Sequence, residues 1–404
     1  MSVVIIGGGA SGCFSAVQCA GMGKKVILIE KNNRLGKKLR ITGKGRCNLT
    51  NNCDTDTLMK NIPRNGRFLY SAFASFNSQD IMNYFENLGV KLKTERGNRV
   101  FPMSDQANEI AETLASEMRR LNVEILHDTA TEIMVENGVC CGVRCGNREI
   151  LADSVILCAG GSTYPATGSE GDGYRLAQKA GHTITLLKPS LVPLETLERD
   201  CAEMMGISLK NVTLTLKRDG KPLYSELGEM LFTHFGVSGP LVLSASAHME
   251  GEGTFTLHID MKPALTPEQL DQRIQREIAG ALNKELPSLL RKLVPSNMVM
   301  PFIGRCGINP HTKANSLTKT NRLKLVKELK DFAFTVRGTR PMEEGIITRG
   351  GVCCKEVNPK TMESKLIPKL YFAGEVLDCD AYTGGFNLQI AWSTAYLSAV
   401  NCQG

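Results

Sequence analysis

The chain has 404 residues, 42% apolar and 22% charged, a composition that fits roughly two to three ordinary globular domains and excludes disorder, a coiled coil and a disulfide miniprotein. Lys and Arg total 48 against 41 Asp and Glu, a net charge of +7. Residues 31–46 alone hold Lys31, Arg34, Lys37, Lys38, Arg40, Lys44 and Arg46 and no acid, so the remainder balances, which predicts a small phosphorylated ligand rather than a nucleic acid or a membrane.

In chain order, residues 3–6, the turn Gly7-Gly8-Gly9, residues 10–22 and residues 26–30 read as strand, glycine turn, helix and strand. An irregular stretch rich in Gly, Asn and Lys follows from 32 to about 63. Ser104 is placed to cap a helix through Leu121, because Ile110, Leu114, Met118 and Leu121 recur at helical spacing. A meander with turns at Asn137-Gly138 and Gly146-Asn147 leads to a buried strand at 155–158. Alternating strands at 211–218, 223–232 and 254–261 predict a small β-barrel, and 266–293 and 316–332 are helical by period. The chain returns to short apolar strands at about 334 and ends in a helix over 387–399. The expected fold is α/β: a Rossmann-like nucleotide-binding domain over 1–190 and 334–404, interrupted by a β-barrel (191–262) and a helical subdomain (263–333).

Fourteen cysteines, no C-x-x-C spacing and an apolar run immediately after the first residues predict a reducing, cytoplasmic setting with no metal site. No apolar run approaches the roughly 20 residues that a membrane span needs.

Gly7-x-Gly9-x-x-Gly12 has the dinucleotide spacing: a tight turn, an approach for pyrophosphate and a close helix contact. Glu30, 18 residues after Gly12, can accept from ribose hydroxyls. Near the other terminus, a buried strand ends in Gly374-Glu375 with Asp378 just beyond, carboxylates suited to a ribityl chain. Gly384-Gly385-Phe386-Asn387 then opens a helix whose N-terminal dipole suits the pyrimidine edge of a flavin. Gly160-Gly161 ends another strand of the same domain.

The motifs GKKLRITGKGRCNLTN (36–51), AGGSTYPATGSEGDGY (159–174), LFTHFGVSGP (231–240), GGVCCKEVNPKTMESK (350–365) and LYFAGEVLDCDAYTGGFNLQIAWS (370–393) resemble the bacterial NAD(P)/FAD-dependent oxidoreductase flavoproteins of the bile-acid Δ4-reductase and aminoacetone-oxidase types. The resemblance covers nearly the whole chain. It implies a two-dinucleotide-binding-domain flavoprotein with FAD pyrophosphate at Gly7, Gly9, Ala10, Ser11 and Gly12 and the adenosine ribose at Glu30 and Lys31. It further implies Lys37, Lys38, Arg46, Cys47 and Asn48 along the phosphate-to-flavin side. Glu375, Asp378, Gly385, Phe386, Asn387 and Leu388 would meet the ribityl chain and ring. Ala381, Phe386 and Arg349 depart from the family pattern; Arg349 could instead recognise an anionic substrate.

A thiol among cations at Arg46-Cys47-Asn48 suggests redox chemistry, but without a C-x-x-C partner a structural or flavin-contacting role is the better reading of Cys47. His234, Tyr164 and Tyr382 are candidate proton donors. No second glycine fingerprint follows a strand, so NADH or NADPH is expected as a transient reductant that reaches the flavin through the substrate opening. The expected reaction is hydride transfer to an activated alkene such as a 3-oxo-Δ4 steroid or bile acid. The alternatives are oxidation of a small amine or amino ketone and, in another class, modification of tRNA. The oligomeric state is left open.

Overall fold

The structure is a computed structural model that describes residues 1–402. The chain forms two compact units, one from 1–190 with the chain from 341 onward, the other from 191–340.

The first unit is built on a five-stranded parallel sheet ordered Leu370–Phe372, Ser154–Leu157, Ser2–Ile6, Lys25–Ile29 and Glu124–Leu126. Val4 lies between Val155 and Ile27, and Ile156 pairs Tyr371. Strands of this kind are covered on both faces, which is why they read as unbroken apolar runs; Val3, Val4 and Ile5 are fully buried. Two helices from opposite ends of the chain, Ala10–Gly21 and Phe386–Asn401, pack together on one face. Small residues allow that contact. The Ser15 hydroxyl donates to Ala395 O at 3.4 Å, and Lys24 Nζ donates to the carbonyls of Ala399 at 2.7 Å and Cys402 at 2.8 Å. Trp392 closes the core, donating from Nε1 to Leu49 O at 2.9 Å between the rings of Phe14 and Phe85.

The second unit is a closed barrel of six strands, Leu194–Thr196, Gly236–Ser238, Lys221–Thr233, Ser208–Arg218, Phe255–Asp260 and Phe332–Thr339. Alternate residues fill it: Leu214, Leu216, Phe232, Leu257, Ile259 and Phe332 are all fully buried. The helices Pro267–Ala279, Leu286–Leu290, Val299–Cys306 and Lys319–Lys330 contribute to the same apolar cluster, so no boundary at 262/263 divides the core. The return expected at 334 comes at 341 instead. Phe332 and Phe334 alternate inward, and Phe334 pairs Leu257, a period-two pattern that belongs to the barrel rather than to the sheet.

Other local expectations shift for identifiable reasons. The stretch 32–63 contains Lys37–Gly45, a helix interrupted at Thr42, Gly43 and Lys44, and the helix Thr55–Lys60 capped by Asp54. The helix expected from Ser104 starts at Ala107, with Ser104 Oγ instead accepting from Gln106 N at 3.2 Å. The helix expected over 266–293 stops at Gly280, and Pro287 opens a separate short one. The last helix, expected over 387–399, runs Phe386–Asn401, with Gly385 as its N-cap.

Replacing Trp392 by Ala removes a fully buried indole and leaves the Leu49 carbonyl without its donor, at a cost of about 3–5 kcal/mol. Urea unfolding followed by circular dichroism should show that loss, with Trp392→Phe intermediate; a change below about 1 kcal/mol contradicts this account of the core.

Candidate functional site

The strand Ser2–Ile6 ends at Gly7, whose φ of +100° turns the chain sharply while its N–H donates to Ile29 O at 2.8 Å. A Cβ on Gly12 would fall 1.8 Å from Gly7 O, so only glycine lets the helix lie directly on the strand end. At Gly9 the same test finds nothing within 4 Å. The space beyond it belongs to a cleft lined by Gly7–Ser11, Glu30–Asn32 and Lys37–Leu39. No side chain caps the helix Ala10–Gly21 and no acid occupies its first turn. Its leading N–H groups and positive dipole end are therefore suited to an anion.

Glu30 fastens the turn. Oε2 accepts from Gly8 N at 2.7 Å, and Oε1 accepts from Asn32 N at 2.7 Å and Asn32 Nδ2 at 2.6 Å. The cations of 31–46 form no open basic loop. Lys31 pairs with Glu170 at 2.7 Å and with Asp172, Lys37 donates to Asn32 Oδ1 at 2.8 Å, and Arg40 pairs with Glu112 at 2.8 Å. Of the seven cations of that stretch, Lys31, Lys37 and Lys38 line the cleft.

The far wall comes from the other end of the chain. Glu375 lines the cleft, accepting from Lys38 Nζ at 2.8 Å and from Thr348 N at 2.9 Å. Gly161 makes room for that carboxylate, since a Cβ there would lie 2.4 Å from Glu375 Oε1; Gly160 lines the cleft itself. Asn387 and Leu388 bring the start of the last helix to the cleft, again without a side-chain cap or a first-turn acid. The Asn387 amide is held by Ala381, accepting from its N–H and donating to its carbonyl, both at 2.8 Å.

Several expected cofactor residues stand elsewhere. Arg46 lies outside the cleft lining, its guanidinium 4.1 Å over the Phe101 ring and paired with Glu95 and Asp105. Cys47 is fully buried, and burial pushes its thiol up to about 12, so a reactive thiolate is disfavoured there. Asn48 acts on the backbone: with its amide oriented to suit both neighbours, it accepts from Gly385 N at 3.0 Å and donates to Thr50 O at 3.1 Å. Gly385 itself packs on Thr50, Gly374 packs on Ser11, and Phe386 is buried in the apolar core. Asp378 turns to Arg64 Nη2 at 2.7 Å instead of the cleft.

Tyr164 and Tyr382 are also outside the cleft lining. Tyr164 has φ +57° and its ring centroid lies 5.7 Å from Lys38 Nζ, while Tyr382 N donates to Asn61 O at 3.0 Å. His234 is exposed in the second unit, on the turn between two barrel strands, its ring edge-on to Phe235 at 5.0 Å.

Spacing gave no sign of Thr42, Asp128, Thr129, Thr167, Ser169 and Ile347, which also line the cleft. It also missed a buried knot in which Asp380 accepts from Ser190 Oγ at 2.8 Å and from Arg64 Nη2 at 3.4 Å. Burial holds the Asp380 carboxyl above the usual carboxylate range, against the pull of Ser190 and Arg64. Two uncapped helix starts opening on one elongated cleft, with a carboxylate near each, fit an extended dinucleotide such as FAD.

Residues 1–401 match the HI0933-like protein Rossmann domain family. The chain is 31% identical over 403 residues to the 3-dehydro-bile acid delta(4,6)-reductase of Clostridium scindens, covering 98% of this chain and 97% of that protein. It is also 31% identical over 404 residues to the ribosomal RNA dihydrouridine synthase of Haemophilus influenzae, with 98% and 97% covered. Among solved structures, the 3-ketosteroid delta1-dehydrogenase of Sterolibacterium denitrificans is 13% identical with a TM-score of 0.52 over 98% of both chains, a likeness of fold. No helix among the described residues is long and apolar enough to cross a membrane. The chain belongs to the HI0933-like Rossmann flavoprotein family and is an FAD-dependent oxidoreductase.

Proposed function

We propose that this protein saturates a carbon–carbon double bond conjugated with a carbonyl, with FAD in the cleft of the first unit and NADH or NADPH as the transient electron donor. The observation that carries the reading is the continuous cleft between Glu30 and Glu375, with a helix start at each end. The N–H groups of Ala10, Ser11 and Gly12 would hold the pyrophosphate, and Glu30 the adenosine ribose. Glu375, positioned by Lys38 and Thr348, would accept from the ribityl hydroxyls. The start of the last helix at Asn387 and Leu388 would face the ring, where its dipole favours negative charge. FAD, when bound, supplies hydride transfer to a polarised alkene. The chain's part is to orient the substrate and to keep water out, for which Ile346, Ile347 and Leu388 provide apolar cover.

The names of two relatives support this bond change. A delta(4,6)-reductase of a 3-dehydro bile acid removes alkenes conjugated with a ring ketone. Dihydrouridine is a uracil nucleoside whose ring alkene, conjugated with a carbonyl, has been saturated. A 3-oxo-Δ4 steroid or bile acid and a uracil base are thus two carriers of one functional group. The burial of Cys47 supports direct reduction by nicotinamide over a thiol relay. With a single glycine fingerprint, the nicotinamide would share the substrate opening and leave before the acceptor enters, which gives ping-pong kinetics.

Anaerobic addition of NADH or NADPH should discharge the yellow flavin absorbance, and a 3-oxo-Δ4 steroid or uridine-containing RNA should restore it. Discharge by small amines but not by either nicotinamide contradicts the reading. Glu30→Ala removes a charged acceptor that also ties the glycine turn to Asn32, and should weaken FAD binding by roughly 10–100-fold, equivalent to about 1.5–3 kcal/mol. A fluorescence titration of the FAD-free protein measures it, and unchanged affinity contradicts the placement of the dinucleotide.

A further inference from the structure

The charge balance outside 31–46 is a sum over two opposed regions. Residues 262–330 contain thirteen Lys and Arg against five Asp and Glu, whereas the chain outside both stretches contains 28 basic and 36 acidic residues. Four of those five acids already have partners: Asp271 with Arg322 at 2.9 Å, Glu277 with Lys292 at 2.6 Å, Glu285 with His311 at 3.1 Å and Glu328 with Arg305 at 3.7 Å. From outside the segment, Asp260 pairs with Lys330 at 2.6 Å and Asp200 with Arg305 at 2.5 Å, and the other cations form no ion pair among the described residues.

The helix Lys319–Lys330 shows the consequence. Leu325, Val326 and Leu329 are buried on one side, and Lys319, Lys324 and Lys327 are exposed. No carboxylate among the described residues forms an ion pair with any of these three. Lys324 and Lys327 are like charges one turn apart, and Lys319 sits in the first turn, where the helix dipole disfavours a cation. At its other end the helix meets a basic groove. Leu329 O accepts from Met261 N at 2.9 Å, and Lys330 Nζ donates to the carbonyls of Lys262 at 3.2 Å and Leu265 at 2.8 Å. Lys262 and Leu265 line a groove with Lys210 and Arg273, and no carboxylate is among its lining residues. Burial first, and then the Arg273 charge, push the Lys262 ammonium below its usual range. A run of phosphates would supply the exposed lysines and the groove with the counter-charges they lack.

We infer that this basic track of the second unit, from Lys319, Lys324 and Lys327 to the groove holding Lys262, Arg273 and Lys210, docks the phosphate backbone of an RNA. A lipid bilayer presents a flat charged surface that cannot follow the track into a groove, whereas an extended phosphate chain can. RNA also carries uracil, the base whose ring alkene suits the proposed reduction. The inference rests on that reading for its chemistry and on charge alone for binding.

The test is fluorescence anisotropy of the FAD-loaded full chain with a labelled uridine-containing RNA hairpin across a salt series. Phosphatidylserine-containing vesicles and inorganic phosphate serve as separate probes. Reversing Lys319→Glu, Lys324→Glu and Lys327→Glu together should weaken RNA binding at least tenfold and flatten the log–log salt dependence by about 2, at about 0.7 per lost phosphate contact. Arg273→Ala should flatten it by about 0.7. The charge-matched control Lys60→Glu, Lys355→Glu and Lys360→Glu, exposed in the first unit, should move neither quantity. Flavin absorbance and the thermal midpoint report folding, and if the triple variant is unstable Lys324→Glu alone should flatten the dependence by about 0.7. Equal losses in both triple variants, no RNA binding, or binding to vesicles but not to RNA overturns the inference. Failure of NADH and NADPH to reduce the flavin would overturn the proposed reaction and leave the RNA titration readable, so the two failures are distinguishable.

Discussion

The glycine-loop helix touches the end of the first strand with no side chain between them, because Gly12 lies against the carbonyl of Gly7. That close approach sets the rest of the first unit. It points three uncapped N–H groups into the open space beside Gly9, and it fixes where Glu30, at the end of the neighbouring strand, meets Gly8 and Asn32. The same helix also carries the contact with the last helix, through Ser15 and Ala395. A displacement at Gly12 would thus propagate to both ends of the cleft.

The far end of the cleft depends on long-range partners of a different kind. Glu375 is held by Lys38 across a separation of 337 residues, and Gly161 is small enough to admit it. Asn48 and Asn51 tie the Gly384-Gly385 turn to the short strand Thr50–Asn51, Asn51 donating to Gly384 O at 3.0 Å. The motif around Arg46 therefore contributes mainly by shaping backbone. Its thiol and its guanidinium are both taken up by the core or by neighbouring carboxylates.

The Rossmann half was legible because its signals are local. The apolar run at 3–6, the three glycines and Glu30 fall within one βαβ unit, and the barrel shows the period of two from residue to residue. What spacing missed is set by contacts between distant segments. Asp378 has the right position after a strand to reach a ribityl chain, yet Arg64 claims it, and nothing near residue 64 announces that pairing. Phe334 looks like the start of a returning strand until Leu257 is found opposite it. The charge outside residues 31–46 was uninformative for a related reason: a sum of zero conceals a segment of helices with thirteen cations and five acids.

Cofactor content tests the central claim most directly. Denaturing the purified protein and identifying the released small molecule by mass spectrometry should yield FAD at one equivalent per chain. Colourless protein that takes up no FAD on reconstitution would contradict the account from its first step.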